Sequence, residues 1–250
     1  MKSNLPLLPI IWPDRPERVQ VAVTTRRGGV SLPPYDELNL GLHVGDDPDA
    51  VAQNRALLAT RLRLPRAPHW LQQVHGTQVA RINSASITAL ADAAYTDQVG
   101  QPLCILTADC LPVLITSEDG WEIGAAHAGW RGLCDGVLEA LVAQFKASPG
   151  ALTAWLGPAI GAQAFEVGPE VRAAFLARHA AASSAFSPSP NPAHPERWLA
   201  DIYALARLRL RALGVEAIFG GEHCTVTEND RFYSYRRDGV TGRMASLIWL

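Results

Sequence analysis

LCILTADCLPVLITSEDGWEIGAA, residues 103–126, carries the reading of the fold. Three short apolar, β-branched runs, Leu103 to Thr107, Val113 to Thr116 and Glu122 to Ala126, are separated by turn-forming residues, which predicts strands joined by tight connections. The stretch from Leu103 to Thr116 contains Asp109 and Pro112 and is shorter than the roughly 20 residues needed to cross a bilayer, so no membrane segment is expected. Further strands are expected at Val19 to Thr25, Trp70 to Val74, Gln78 to Ile82, Val215 to Phe219, Phe232 to Tyr235 and Met244 to Trp249. Between them the period changes. Asp46 and Asp47 can cap a helix from Pro48 that places Val51, Leu58 and Leu62 on one face and ends before Pro65. Leu133 to Phe145, Pro169 to Arg178 and Leu199 to Leu213 repeat apolar residues at helical spacing, the last closed by Gly214. Strands and helices mix without regular alternation, which predicts an α+β fold, a single domain of mixed β-sheets flanked by helices over residues 1–250. Ala180 to Pro195, with four prolines among Ser and Ala, reads as a mobile surface loop.

At 250 residues the chain can bury a full core without disulfide staples. Its 22 Lys and Arg stand against 24 Asp and Glu, and no stretch concentrates the basic residues, so nucleic acid is not an expected partner. The four cysteines, Cys104, Cys110, Cys134 and Cys224, form no C-x-x-C pair and fit free thiols in a reducing cytoplasm. The N-terminal run from Lys2 and Leu5 to Trp12 is broken by Pro6, Pro9 and Pro13 and does not read as a signal peptide.

Three segments place metal-binding atoms beside small residues at predicted strand ends. They are Gln73-Val74-His75-Gly76-Thr77, Ala108-Asp109-Cys110-Leu111-Pro112, and His127-Ala128-Gly129-Trp130-Arg131-Gly132. If the ends converge, His75, Cys110 and His127 supply three ligands for Zn²⁺ and leave the fourth position to water. The same residues allow two other readings. Cys110 could be a nucleophile with His75 or His127 as base and Asp109 or another carboxylate as orienter. Two His, a Cys and Met244 would also suit a single copper. The seven histidines are too few for the ligand sets of a four-copper oxidase. Arg26-Arg27, Arg55, Arg131 and Arg236-Arg237 could meet an anion, Asn39-Leu40-Gly41 reads as a polar connection, and His43, His69, His179, His194 and His223 carry no assigned role.

These segments, in order and with their neighbours, resemble the laccase-domain family of bacterial proteins, also called multicopper polyphenol oxidase-like proteins, purine nucleoside phosphorylases and peptidoglycan editing factors. The resemblance runs from Thr25-Arg26-Arg27-Gly28-Gly29-Val30-Ser31 through Asn39-Leu40-Gly41, Gly45-Asp46-Asp47, Asn54-Arg55 and the three ligand segments. It continues through Leu156-Gly157-Pro158-Ala159-Ile160-Gly161 and Phe165-Glu166-Val167-Gly168 to Tyr233-Ser234-Tyr235-Arg236-Arg237-Asp238 and Thr241-Gly242-Arg243. It implies zinc on His75, Cys110 and His127. It also implies phosphorolysis of adenosine, inosine, guanosine and methylthioadenosine, some adenosine deamination, and purine nucleosides and inorganic phosphate as partners. Arg55 and Arg131, each adjoining a family motif, are the substrate-binding candidates. A peptidoglycan-precursor editing factor using Cys110 as nucleophile and a non-enzymatic metal-stabilised module are the alternatives.

Overall fold

A computed structural model describes residues 6–83 and 90–250. Lys2 and Leu5, the start of the N-terminal apolar run, lie outside the described residues.

The quoted stretch folds into three strands, β5 (Leu103–Thr107), β6 (Leu111–Ser117) and β7 (Ile123–Ala128), but these do not form one meander. β6 and β7 pair antiparallel in a six-stranded sheet. That sheet has the order β12 (Ala217–Gly220), β8 (Leu152–Leu156), β6, β7, β4 (Ala93–Thr96), β3 (Val79–Arg81). β5 belongs to a four-stranded sheet, in the order β1 (Gln20–Val23), β13 (Met244–Trp249), β5, β2 (His69–Trp70). The segment Ala108-Asp109-Cys110 is therefore the crossover between two sheets. A small third sheet joins β10 (Phe186–Pro188), β11 (Trp198–Ala200) and β9 (Glu166–Val167).

Strand alternation sorts the core into layers. Leu111, Val113 and Ile115 of β6 face a cluster that includes Leu133, Val137, Leu141, Val171, Phe175, Ile202, Leu205 and Leu210. These come from α2 (Trp130–Asp135), α3 (Val137–Val142), α4 (Pro169–Arg178) and α5 (Ile202–Ala212). Leu114 faces the other way and joins Leu103 and Ile105 of β5 and Met244 and Ile248 of β13 between the two sheets. Beyond the four-stranded sheet, Cys104, Leu106, Ala245 and Leu247 pack on Leu58 of α1 (Pro48–Leu62). The order is helices, sheet, sheet, helix, which is the α+β arrangement of mixed sheets and flanking helices that the sequence predicts.

Several elements match expectation closely. α1 is capped by the Asp47 carboxylate, which accepts from the Asp49 N–H at 3.0 Å, and starts on Pro48. α4 spans the predicted residues. Others differ for physical reasons. The helix expected over Leu133 to Phe145 is two helices, because Gly136 takes φ +108° between them. Residues 232–235 form no strand: Phe232 and Tyr233 are fully buried, and Ser234 caps a one-turn helix, α6 (Tyr235–Asp238). β2 stops at Trp70, and the Gln73 amide continues the pairing by hand, accepting from Leu106 N–H at 2.8 Å and donating to the Leu106 carbonyl at 2.7 Å. Pro112 lies within β6, near the strand's start, where a missing N–H is tolerated. The segment expected to be a mobile loop instead holds a 3₁₀ turn over Ala180–Ala185 and β10, with Ala182, Ala185 and Phe186 buried. Among the described residues, no helix is long and apolar enough to cross a membrane.

Asn54 ties α1 to the chain that precedes it. Its buried amide donates to Ser31 Oγ at 2.9 Å and to the Asn39 carbonyl at 2.9 Å, and accepts from the Val30 N–H at 2.8 Å. Replacing Asn54 with Ala leaves these groups unsatisfied, so Asn54→Ala is expected to lower stability by about 1–3 kcal/mol, read as a shifted urea midpoint. An unchanged midpoint would refute this role.

Candidate metal centre

Three chain crossings deliver the ligands. β7 ends at His127 and Ala128, buried beneath α2. The sheet-to-sheet crossover presents Cys110. The loop after β2 presents His75, whose backbone takes φ +63°, a left-handed conformation that non-glycine residues seldom hold without external constraint. Asp109, just before Cys110, is likewise at φ +97°. Left-handed residues cluster where surrounding contacts over-determine the backbone, and the hydrogen bonds identify those contacts.

For His75 the constraint is Asp92. This fully buried carboxylate accepts from the N–H groups of Val74 at 3.2 Å, His75 at 2.8 Å and Gly76 at 2.7 Å, and pairs with His127 Nδ1 at 2.8 Å. One side chain thus curls the His75 loop and orients the His127 ring, leaving Nε2 of His127 to face the cluster. Burial would raise the Asp92 pKa, but the His127 pairing and the backbone donors outweigh it and hold the carboxyl below its ordinary range. For Asp109 the constraint is bilateral: its carboxylate accepts from Thr225 Oγ1 at 2.6 Å and from the Arg236 N–H at 2.7 Å, and its carbonyl from Ile160 N–H at 2.9 Å.

The ligand atoms of His75, Cys110 and His127 all lie within 4.8 Å of one another. Cys110 Sγ is 3.7 Å from His75 Nε2, and the two imidazoles meet edge to face with centroids 4.8 Å apart. Donors at about 2.0–2.3 Å from one tetrahedral ion sit roughly 3.3–3.8 Å apart, so the N, S and N set fits a small borderline cation. Gly129 has no side chain because a Cβ there would stand 2.9 Å from His75 Cδ2 and 3.0 Å from Cys110 Sγ. Gly132 is constrained in turn by the Gly76 carbonyl, 2.7 Å from its would-be Cβ.

The electrostatics suit metal binding. Burial pushes the Cys110 thiol up, but the His127 charge and hydrogen bonds from both histidines bring it below the ordinary thiol range. His127 is the reciprocal case: burial lowers it, and the Cys110 thiolate and Asp92 raise it. Cys104, by contrast, is pushed up to about 12 by burial, as expected of a thiol that only packs.

A cavity of about 550 Å³ opens over this cluster. Arg131 lines it, with its guanidinium over the Trp130 ring, as do Arg236, Arg243, His43 and Tyr235. Arg55 is not among the lining residues: its Nε and Nη2 donate to the Leu40 carbonyl at 3.0 and 2.8 Å, and it stacks on Trp70. Asp92, His43 and Arg243 were given no site role by the sequence. Asp92 stands alone among alanines, and Arg243 stood out only as part of a resembling motif.

A family model described as multi-copper polyphenol oxidoreductase laccase matches residues 20–250, and the chain belongs to that family. It is 55% identical over 240 residues, 96% of each chain, to a protein of Escherichia coli named purine nucleoside phosphorylase YfiH. It is 54% identical over 239 residues, again 96% of each, to purine nucleoside phosphorylase PA4543 of Pseudomonas aeruginosa. The crystal structure of Neisseria meningitidis protein NMB0706 superposes with a TM-score of 0.91 at 47% identity, covering 98% of both chains.

Because Asp92 shapes one ligand loop and orients the other histidine, Asp92→Asn is expected to weaken zinc affinity by about 10–100-fold, measured by chelator competition on protein whose circular dichroism is unchanged. Affinity within twofold of the parent would show that the ligands hold their places without it.

Proposed function

We propose that the chain is a zinc-dependent purine nucleoside phosphorylase acting on adenosine, inosine, guanosine and methylthioadenosine, with adenosine deamination as a side activity, and that residues 1–250 act as one cytoplasmic catalytic domain. The observation that carries the reading is the combination, in one cavity, of a His-Cys-His cluster with three guanidinium groups, Arg131, Arg236 and Arg243. The names of the relatives support it.

Phosphorolysis joins a phosphate oxygen to C1′ while the C1′–N bond breaks and its electron pair leaves with the purine. The reaction therefore needs a site for an anion, a site for a flat heterocycle, and relief for charge developing on the departing base. The cavity offers each. Its guanidinium groups receive an anion. Tyr235, Trp130 and Phe165 present aromatic surface for a purine. His75, Cys110 and His127 would hold Zn²⁺, which supplies Lewis acidity when bound. Asp92 fixes the His127 tautomer, with the proton on Nδ1 and Nε2 free to donate its lone pair. Arg131 contacts substrate directly in this reading, and Arg55 acts at one remove, tied to the Leu40 carbonyl outside the cavity wall.

The rival use of Cys110, as a nucleophile on a peptidoglycan precursor, draws on the same lowered thiol. The metal reading is favoured because two imidazoles, not one, converge on the sulfur. Adenosine cleavage is expected to require inorganic phosphate and to yield ribose 1-phosphate, identified by phosphorus NMR, and Cys110→Ser is expected to lose both turnover and most zinc. Equal rates without phosphate would make the protein a hydrolase. A Cys110→Ser variant that keeps its zinc while losing all turnover would favour the nucleophile.

A further inference from the structure

Two short motifs, Asn39-Leu40-Gly41 and Thr241-Gly242-Arg243, have no part in the metal cluster, yet they build one object. Asn39 Oδ1 accepts from the N–H groups of Gly41 and Arg243, both at 2.9 Å, and Leu40 N–H donates to the Arg243 carbonyl at 3.2 Å. Gly41 is bare where the Arg243 side chain passes: a Cβ there would lie 2.8 Å from Arg243 Cγ and 3.5 Å from His43 Cε1. Gly242 is bare for the same reason on the other side, where Tyr233 and Asn39 close in at 2.7 and 3.0 Å. The motifs thus form a seat for one arginine.

Within that seat the Arg243 guanidinium is anchored at one end only. Nη1 donates to the carbonyls of Thr241 and Gly242, both at 3.0 Å, while among the described residues Nε and Nη2 have no hydrogen-bond partner and no carboxylate forms an ion pair with the group. Asp109, the carboxylate among the cavity's lining residues, acts on the Arg243 charge together with Cys110, but its oxygens are already engaged by Thr225 and the Arg236 N–H. The other two guanidiniums in the wall differ. Arg131 is exposed and lies over Trp130, and Arg236 is exposed with Nη1 directed to the carbonyls of Ala164 and Glu166. Arg243 is the half-buried one. A guanidinium that is partly desolvated, pinned on one side and unpaired on the other has its strongest remaining partner in an oxyanion.

We propose that Arg243, seated on Gly41 beside His43, is an oxyanion subsite of the cavity, and that its occupant is phosphate. The proposal rests on the phosphorylase reading for the source of that phosphate but not for the subsite itself. Free phosphate and a phosphate carried on a nucleotide present the same oxygens to a guanidinium, so the test separates them.

Zinc-loaded protein is titrated calorimetrically with inorganic phosphate and, separately, with adenosine 5′-monophosphate. The parent is compared with Arg243→Met, Arg243→Lys, Gly41→Ala and Arg178→Met, each checked for circular dichroism and zinc content. Phosphate binding is expected to weaken at least about tenfold in Arg243→Met and, with no charge removed, in Gly41→Ala. Partial recovery is expected in Arg243→Lys, and Arg178→Met, at an exposed arginine outside the cavity wall, is expected to stay within about threefold. Arg243-dependent binding of the nucleotide with none of free phosphate would keep the subsite and assign its anion to the substrate. Phosphate binding unchanged in Arg243→Met or Gly41→Ala, or no binding of either ligand by the parent, overturns the subsite. The two readings fail separately: a parent that binds phosphate through Arg243 but leaves adenosine intact refutes the phosphorylase alone. A parent that cleaves adenosine with phosphate binding indifferent to Arg243 refutes the subsite alone.

Discussion

The buried carboxylate of Asp92 is the constraint on which the His75, Cys110 and His127 cluster depends. Three consecutive backbone N–H groups and one imidazole nitrogen converge on its two oxygens. A buried carboxylate is costly unless its lone pairs are used, and here they are used by the two segments that must meet. The left-handed backbone of His75 follows from this arrangement, since the curl that lets three N–H groups point at one carboxylate is the curl that turns the His75 ring toward Cys110. Asp109 performs a parallel task on the third ligand, linking the Cys110 crossover to the Thr225 turn and to the start of α6.

The layered core explains why these loops lie together. β5 and β6 are consecutive in sequence but belong to different sheets, so the chain must leave one layer and enter the other at Ala108-Asp109-Cys110. β7 pairs with β6 so that His127 stands opposite Pro112, two residues past Cys110. Side chains from separate segments then meet at a shared sheet end without a long excursion of any of them, and His43, Arg236 and Arg243 complete the walls.

Much of this was legible in the sequence where chemistry and period coincide. β-branched runs marked β5 and β6, Pro48 and Pro169 marked helix starts, and the three His and Cys segments stood out by their small neighbours. What could not be read has physical reasons. β4, Ala-Ala-Tyr-Thr at 93–96, opens on two alanines, which carry little strand propensity, so local pattern does not mark it. The break at Gly136 leaves the apolar spacing of Leu133 to Phe145 intact, so periodicity alone reads through it. Ser234 as a cap was hidden behind the aromatic residues that suggested a strand. Asp92 is one acid among alanines, and its importance exists only in three dimensions, where distant N–H groups find it. Arg243 is silent for the same reason: nothing local shows that Gly41, two hundred residues earlier, has left room for it.

The central claim, that three distant chain segments converge to hold one metal through His75, Cys110 and His127, is tested most directly by X-ray absorption at the metal edge of protein purified without chelator. The account predicts a zinc edge with one sulfur neighbour at about 2.3 Å and nitrogen or oxygen neighbours at about 2.0–2.1 Å in a four-coordinate site, the sulfur disappearing in Cys110→Ser. A spectrum with no sulfur neighbour, or one unchanged by that substitution, would contradict it.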